Sequence, residues 1–175
     1  MVNKKYILSK VTAEKKLRRM ALEVTEQNYG EKELVLVGIK HSGLIIANKI
    51  SNYLKEVFTG AVIVAALTMD KKNPTTITIE PSIDFNGKIV LLIDDVANSG
   101  KAMLYALKPF LETYPKKIQT LALVERTHKS FPVVVDYVGL SISTTLDEHI
   151  YVEVEGTDIE GAWMEAAAAL SPKLK

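Results

Sequence analysis

Short unbroken apolar runs alternate with amphipathic stretches along most of this chain. Residues 33–39 (ELVLVGI), 61–67 (AVIVAAL), 89–93 (IVLLI) and 118–124 (IQTLALV) are rich in aliphatic and β-branched side chains. Runs of that kind read as strands buried on both faces. Leu17, Ala21, Leu22 and Val24 make an apolar stripe at helical spacing, in a segment that Thr12 can cap and Gly30 can end. Helical patterns also run through Leu44, Ile45, Ile46 and Ala47, and through Met103, Leu104 and Leu107. Strands alternating with helices predict an α/β fold, with a mainly parallel central sheet and helices on both faces.

The remaining stretches are less regular. Residues 68–85 are polar and bounded by Pro74 and Pro81; a loop of that length is expected to be a lid or disordered. Within it, 75–79 alternates polar and β-branched residues, as part of a hairpin would. Residues 150–154 alternate like a half-exposed strand. Gly156-Thr157-Asp158 is expected to open a last helix through Ala162, Trp163, Ala166 and Leu170, with Trp163 packed rather than functional.

Composition narrows the class. The 175 residues are 47% hydrophobic and 25% charged, as expected for one globular domain spanning 1–175. The absence of cysteine excludes a disulfide framework, a thiolate metal site and a cysteine nucleophile. No apolar run approaches the length of a membrane span, so no membrane partner is expected and the cytoplasm is the default location. The net charge of +1 gives no strong global pull on nucleic acid. Locally, however, Lys4, Lys5, Lys10, Lys15, Lys16, Arg18 and Arg19 share the first 19 positions with Glu14 as the only acid. Such a basic helix is either a solvated face or a contact for RNA.

The chemistry concentrates after the run 89–93. Asp94 and Asp95 follow it, then the small-residue turn Ala97-Asn98-Ser99-Gly100, then a helix. Ligands of open α/β sheets bind outside the carboxyl ends of the strands. There the loop amides and the positive end of a helix favour a phosphate. Two adjacent carboxylates repel each other unless a cation or hydroxyl donors sit between them, a need that a ribose diol would meet. A phosphate nest beside such a pair describes a site for a ribose 5-phosphate. It is not a Walker A loop, because the earlier glycine and the Ser or Thr after Lys101 are missing. A second strand–loop–helix unit ends 33–39 in Lys40-His41-Ser42-Gly43, where Gly38 and Gly43 permit a tight turn and a cation can face pyrophosphate.

Residues 90–102 (VLLIDDVANSGKA) closely resemble the motif by which type I phosphoribosyltransferases bind 5-phosphoribosyl 1-diphosphate (PRPP). Nearly the whole chain is similar to those members that use uracil and regulate pyrimidine operons. The resemblance implies the type I phosphoribosyltransferase fold with a small hood, in which Ser141 to Thr145 would fall. It implies phosphoribosyl transfer from PRPP to uracil, giving UMP and pyrophosphate, with Mg2+ as cofactor and a homo-oligomeric assembly. By the same resemblance Asp94 and Asp95 are catalytic and hold the metal. Val96, Ala97, Asn98, Ser99, Gly100, Lys101 and Ala102 bind the 5-phosphate end of PRPP. Lys40, His41 and Ser42 bind pyrophosphate, and Val124, Glu125 and Arg126 bind the base. Glu125 stands where hypoxanthine-type enzymes have a lysine, which favours a pyrimidine. Ser42, Met69 and Ala102 each lack a polar group that the family uses, although Lys71 or Lys72 can serve in the lid. These departures motivate the alternative, a nucleotide-sensing RNA-binding attenuation regulator with little turnover. The positions matching the family's RNA contacts are Arg18, Leu22, Arg126, Lys129 and Leu140.

Overall fold

The computed structural model describes residues 4–70, 74, 76–145 and 148–165. In chain order its elements are β1 (Lys4–Ser9), α1 (Lys10–Gln27), β2 (Glu33–Ile39), α2 (Lys40–Val57), β3 (Ala61–Met69), β4 (Ile77–Glu80), β5 (Ile89–Ala97), α3 (Lys101–Ala106), α4 (Lys108–Leu111), β6 (Lys117–Arg126), β7 (Tyr137–Ile142), β8 (His149–Glu155) and β9 (Asp158–Glu165).

The main sheet has six strands in the order β4-β3-β2-β5-β6-β7. All its neighbours run parallel except β4, which is antiparallel to β3. Alternate residues of the central strands serve two cores. Leu34, Leu36, Leu91 and Ile93 pack with α1 and α2 on one face. Val35, Val37, Val90 and Leu92 pack with Met103, Ala106, Phe110, Val133 and Val135 on the other. Burial on both faces explains the unbroken apolar runs. Each such side chain contributes about 1.5–3 kcal/mol over its exposed state.

The connections place the site. From β2 the chain moves outward to β3 and then returns to β5 on the opposite side of β2. The carboxyl ends of β2 and β5 are therefore a topological switch point, where an open sheet leaves a crevice.

A second sheet of three antiparallel strands, order β1-β9-β8, forms the hood. Leu8, Ile150, Ile159 and Ala162 join its underside to the core beneath α1. Its composition differs from the sequence expectation in three ways. Residues 158–165 form a strand, not a helix, and Ala166 and Leu170 lie outside the described residues. Gly156, at φ +59, makes a two-residue turn between β8 and β9 instead of a helix start. Ser141 and Ile142 end β7 in the main sheet, so the hood is built from β1, β8 and β9 and not from 141–145.

Two smaller differences concern ends. Ser9, not Thr12, caps α1, its side chain accepting from the Thr12 amide at 3.3 Å. The expected hairpin begins at Ile77, and Lys71, Lys72 and Thr75 lie outside the described residues. Among the described residues, no helix is long and apolar enough to cross a membrane.

Candidate active site

A cleft of about 520 Å³ opens at the switch point. One wall is the end of β2 and the start of α2: Ile39, Lys40, His41 and Ser42. The other is the end of β5 with the turn into α3, from Asp94 through Met103. All twelve residues expected to hold PRPP, its phosphates or a metal at these two strand ends therefore line one cavity. Sequence reasoning missed a third wall, Ile150, Tyr151 and Val152 of the hood. Tyr151 stacks on Trp163, with ring centroids 4.5 Å apart, and Lys4 lies 4.7 Å from the Trp163 ring centroid. No local signal placed β8 over the cleft, because that depends on its pairing with β9.

The β2 side is not a loop. Strand passes directly into helix through Lys40, whose φ of +57 is the only positive value at a non-glycine among the described residues. A left-handed lysine is a strained conformation that persists only where its surroundings hold it. They do so through two glycines. A Cβ on Gly38 would stand 2.5 Å from Leu44 Cα, and one on Gly43 would stand 2.7 Å from the Ile93 carbonyl oxygen. The first turn of α2 thus lies directly against the end of β5. No side chain caps that turn, so its amides are open to an anion.

On the β5 side, Asp94 is 8% exposed. Its Oδ1 accepts from the Asp95 amide at 2.9 Å, and Asp95 Oδ1 accepts from the Val96 amide at 2.9 Å. Burial, and then the charge of Asp95, hold the Asp94 carboxyl well above the ordinary carboxylate range; Lys40 opposes this only in part. The pair is short of positive charge, which is the condition a divalent cation or a diol relieves. Among the described residues no cluster of three or more carboxylate, His or Cys ligands exists.

The turn after Asp95 leads into α3. Gly100 adopts φ +78, and Ser99 Oγ accepts from the Lys101 amide at 3.3 Å. The Ser99 carbonyl accepts from the amides of Ser130 and Phe131 at 3.1 and 3.0 Å, two residues that are not part of the cleft lining. Asn98 Oδ1 is buried and has no partner among the described residues; a ligand N–H or O–H would satisfy it.

Val124, Glu125 and Arg126 do not line this cleft. Val124 is fully buried in the core beneath the hood. Glu125 accepts from Lys129 Nζ at 2.8 Å and from Ser141 Oγ at 2.7 Å. Arg126 donates to Thr144 Oγ1 and to the Thr145 carbonyl. Three basic residues of the N-terminal segment are likewise engaged. Lys4 pairs with Glu153, Lys10 with Glu160 and Asp158, and Arg19 with Glu23.

Comparison with known proteins gives a consistent picture. The phosphoribosyl transferase domain family matches residues 5–157. The chain is 34% identical to the bifunctional protein pyrR of Enterococcus faecalis over 164 residues, covering 89% of this chain and 92% of that protein. It is 33% identical to bifunctional protein PyrR of Staphylococcus carnosus, covering 90% and 95%. Among solved structures, a hypoxanthine-guanine phosphoribosyltransferase of Bacillus anthracis superposes with a TM-score of 0.72 at 16% identity, over 95% of this chain and 99% of that one. The hypoxanthine phosphoribosyltransferase of Trypanosoma cruzi does so with 0.75 at 14% identity, over 93% and 97%. At those identities the two structures speak to the fold alone.

Proposed function

The chain belongs to the phosphoribosyl transferase domain family, on the branch of the bifunctional PyrR proteins, and from that premise we infer that it transfers the phosphoribosyl group of PRPP to uracil. The observation that carries this reading is the meeting, in one cleft, of the acidic pair that ends β5 with the strained Lys40 turn that ends β2.

Each part of PRPP has a counterpart there. Asp94 and Asp95 take the ribose diol and would hold a Mg2+ ion, which would supply charge neutralisation for the diphosphate. The amides of Ala97 to Lys101, the Ser99 hydroxyl and the start of α3 hold the 5-phosphate, with Val96 and Ala102 framing the turn. Lys40, His41 and Ser42, with the open amides of α2, hold the diphosphate. Uracil N1 bonds to the anomeric carbon as the bond to pyrophosphate breaks, and the N1 proton is released. The transition state is oxocarbenium-like, so the acidic pair offsets its positive charge while Lys40 offsets the negative charge on the leaving group. No covalent intermediate is needed; the residues act by position and charge. Hypoxanthine-type enzymes use a lysine where Glu125 stands, and Glu125 is already bound to Lys129, which favours a pyrimidine read chiefly by backbone groups beyond the cleft.

Ser99→Ala should weaken PRPP binding by about 1.5–3 kcal/mol, the contribution of one hydrogen bond to a charged group. Titration calorimetry checks this, and unchanged affinity would place the phosphate elsewhere. The functional test is formation of UMP and pyrophosphate in equal amounts from PRPP and uracil, stopped by a chelator and restored by Mg2+.

The relatives are bifunctional, and attenuation of a pyrimidine operon through RNA is the second reading. Filter binding against rising salt separates it, since RNA affinity must fall steeply with salt. The same reading places the chain in the cytoplasm as a homo-oligomer, the latter open to light scattering.

A further inference from the structure

We propose that Lys129 is a positioning residue that fixes the phosphate loop through the turn following β6. The proposal rests on the phosphoribosyl-transfer reading for its consequence in binding, but its structural basis is independent. Glu125 and Lys129 bracket that turn. Lys129 Nζ donates to Glu125 Oε2 at 2.8 Å and to the Arg126 carbonyl at 3.4 Å, while Ser141 Oγ holds Glu125 Oε1 at 2.7 Å. Both charged side chains are largely withdrawn from solvent, at 14% and 17% exposure, so the pair is screened far less than one on an open surface.

What the pair closes is the segment that grips the phosphate loop from behind. The Ser130 and Phe131 amides both donate to the Ser99 carbonyl, at 3.1 and 3.0 Å. A Cβ on Gly100 would stand 3.2 Å from the Phe131 carbonyl oxygen and 3.6 Å from Lys129 Cδ, so the turn and the lysine stem lie against the loop. In a trans peptide the C=O and N–H of one plane point in opposite directions. Two donors holding the Ser99 carbonyl outward therefore aim the Gly100 amide inward, toward the cleft. Were the turn to lift, the Ser99–Gly100 peptide would be free to rotate and present its oxygen to an anion. Glu125 consequently acts as the anchor of this brace rather than as a reader of the base.

The experiment combines two readouts on the full chain. Hydrogen exchange of the ligand-free protein should be faster over residues 98–104 in Lys129→Met and return to the wild-type rate in Lys129→Arg. Calorimetry with PRPP and Mg2+ should show Lys129→Met binding about tenfold more weakly, as expected for one charge-assisted bond lost. The KM for uracil at saturating PRPP should be unchanged. Glu125→Gln combined with Lys129→Met should be no worse than either alone, since both break one brace. Unchanged exchange in Lys129→Met, or a defect confined to the uracil KM, would overturn the proposal. Wild-type protein that fails to bind PRPP would instead overturn the functional reading, with the exchange result still deciding the brace. Should Lys129→Met not fold, the charge-swapped pair Glu125→Lys with Lys129→Glu serves: slow exchange over 98–104 supports the brace and fast exchange overturns it.

Discussion

Asp94→Asn is expected to remove most phosphoribosyl transfer while making the ligand-free protein more stable. Asp94 is buried beside Asp95, and its carboxyl is held well above the ordinary value of 3.8 by burial first and by Asp95 second. A raised folded-state value means that the protonated form is the one the fold prefers. The stability this group contributes is therefore fully present below pH 3.8 and is lost as pH rises through that value toward the folded one. Asparagine has no charge to strand. Its melting temperature should match the wild type in acid and exceed it increasingly toward neutrality. Catalysis moves the other way. The diol and the metal each lose a charge-assisted partner of about 1.5–3 kcal/mol, so turnover should fall about a hundredfold or more. Asp95→Asn should lose activity similarly. Melting curves across pH, set beside turnover, check both halves. Retained turnover in either variant would remove the acidic pair from the site.

Gly43→Ala should carry the second large effect, with a sign opposite to the usual one. Replacing a helical glycine by alanine ordinarily gains up to about 1 kcal/mol. Here the new methyl would stand 2.7 Å from the Ile93 carbonyl oxygen and 3.4 Å from Asp94 Cα. The helix start has little room to retreat, since Leu44 Cα already sits where a Cβ of Gly38 would need to be. Destabilisation of about 1–3 kcal/mol is expected, as for overpacking elsewhere. The displacement falls between Lys40 and Asp94, so turnover should drop further than stability alone explains. Gly30→Ala is the control. It also costs stability, because Gly30 has φ +79, but a Cβ there meets nothing within 4 Å and the residue is remote from the cleft. Turnover of folded Gly30→Ala should be normal; an equal loss in both variants would mean that Gly43 matters only for folding.

The main sheet and the two strand ends that face the cleft were legible because their signals are local. Each buried strand is an uninterrupted apolar run, and each site segment follows its strand directly, so Asp94, Asp95 and Lys40 could be placed before any tertiary structure was known. The hood was not, for a physical reason. β1 pairs with β9, whose partners lie over 150 residues away in sequence, as in Lys5↔Met164. A register shift at the β8 interface, where Glu160 is the extra residue, breaks its alternation. Ile159, Gly161, Ala162 and Met164 are all buried, a spacing easily taken for a helical face. The segment 124–126 shows another limit. Its register beside the phosphate turn is real, with Ala97 opposite Glu125. Sequence did not reveal that Val124 points into the core or that Lys129 and Ser141 already occupy Glu125.

The most direct test of the central claim is a competition. Purified protein is given PRPP and Mg2+ with equal concentrations of uracil, hypoxanthine and guanine, and the nucleotides formed are separated and counted. Position 125 carries no lysine to donate to a purine O6, and a polar site matched to one base leaves its groups unpaired against another. UMP is expected as the product, with one pyrophosphate released for each. Faster formation of IMP or GMP would contradict the pyrimidine assignment, and no nucleotide from any base would contradict phosphoribosyl transfer itself.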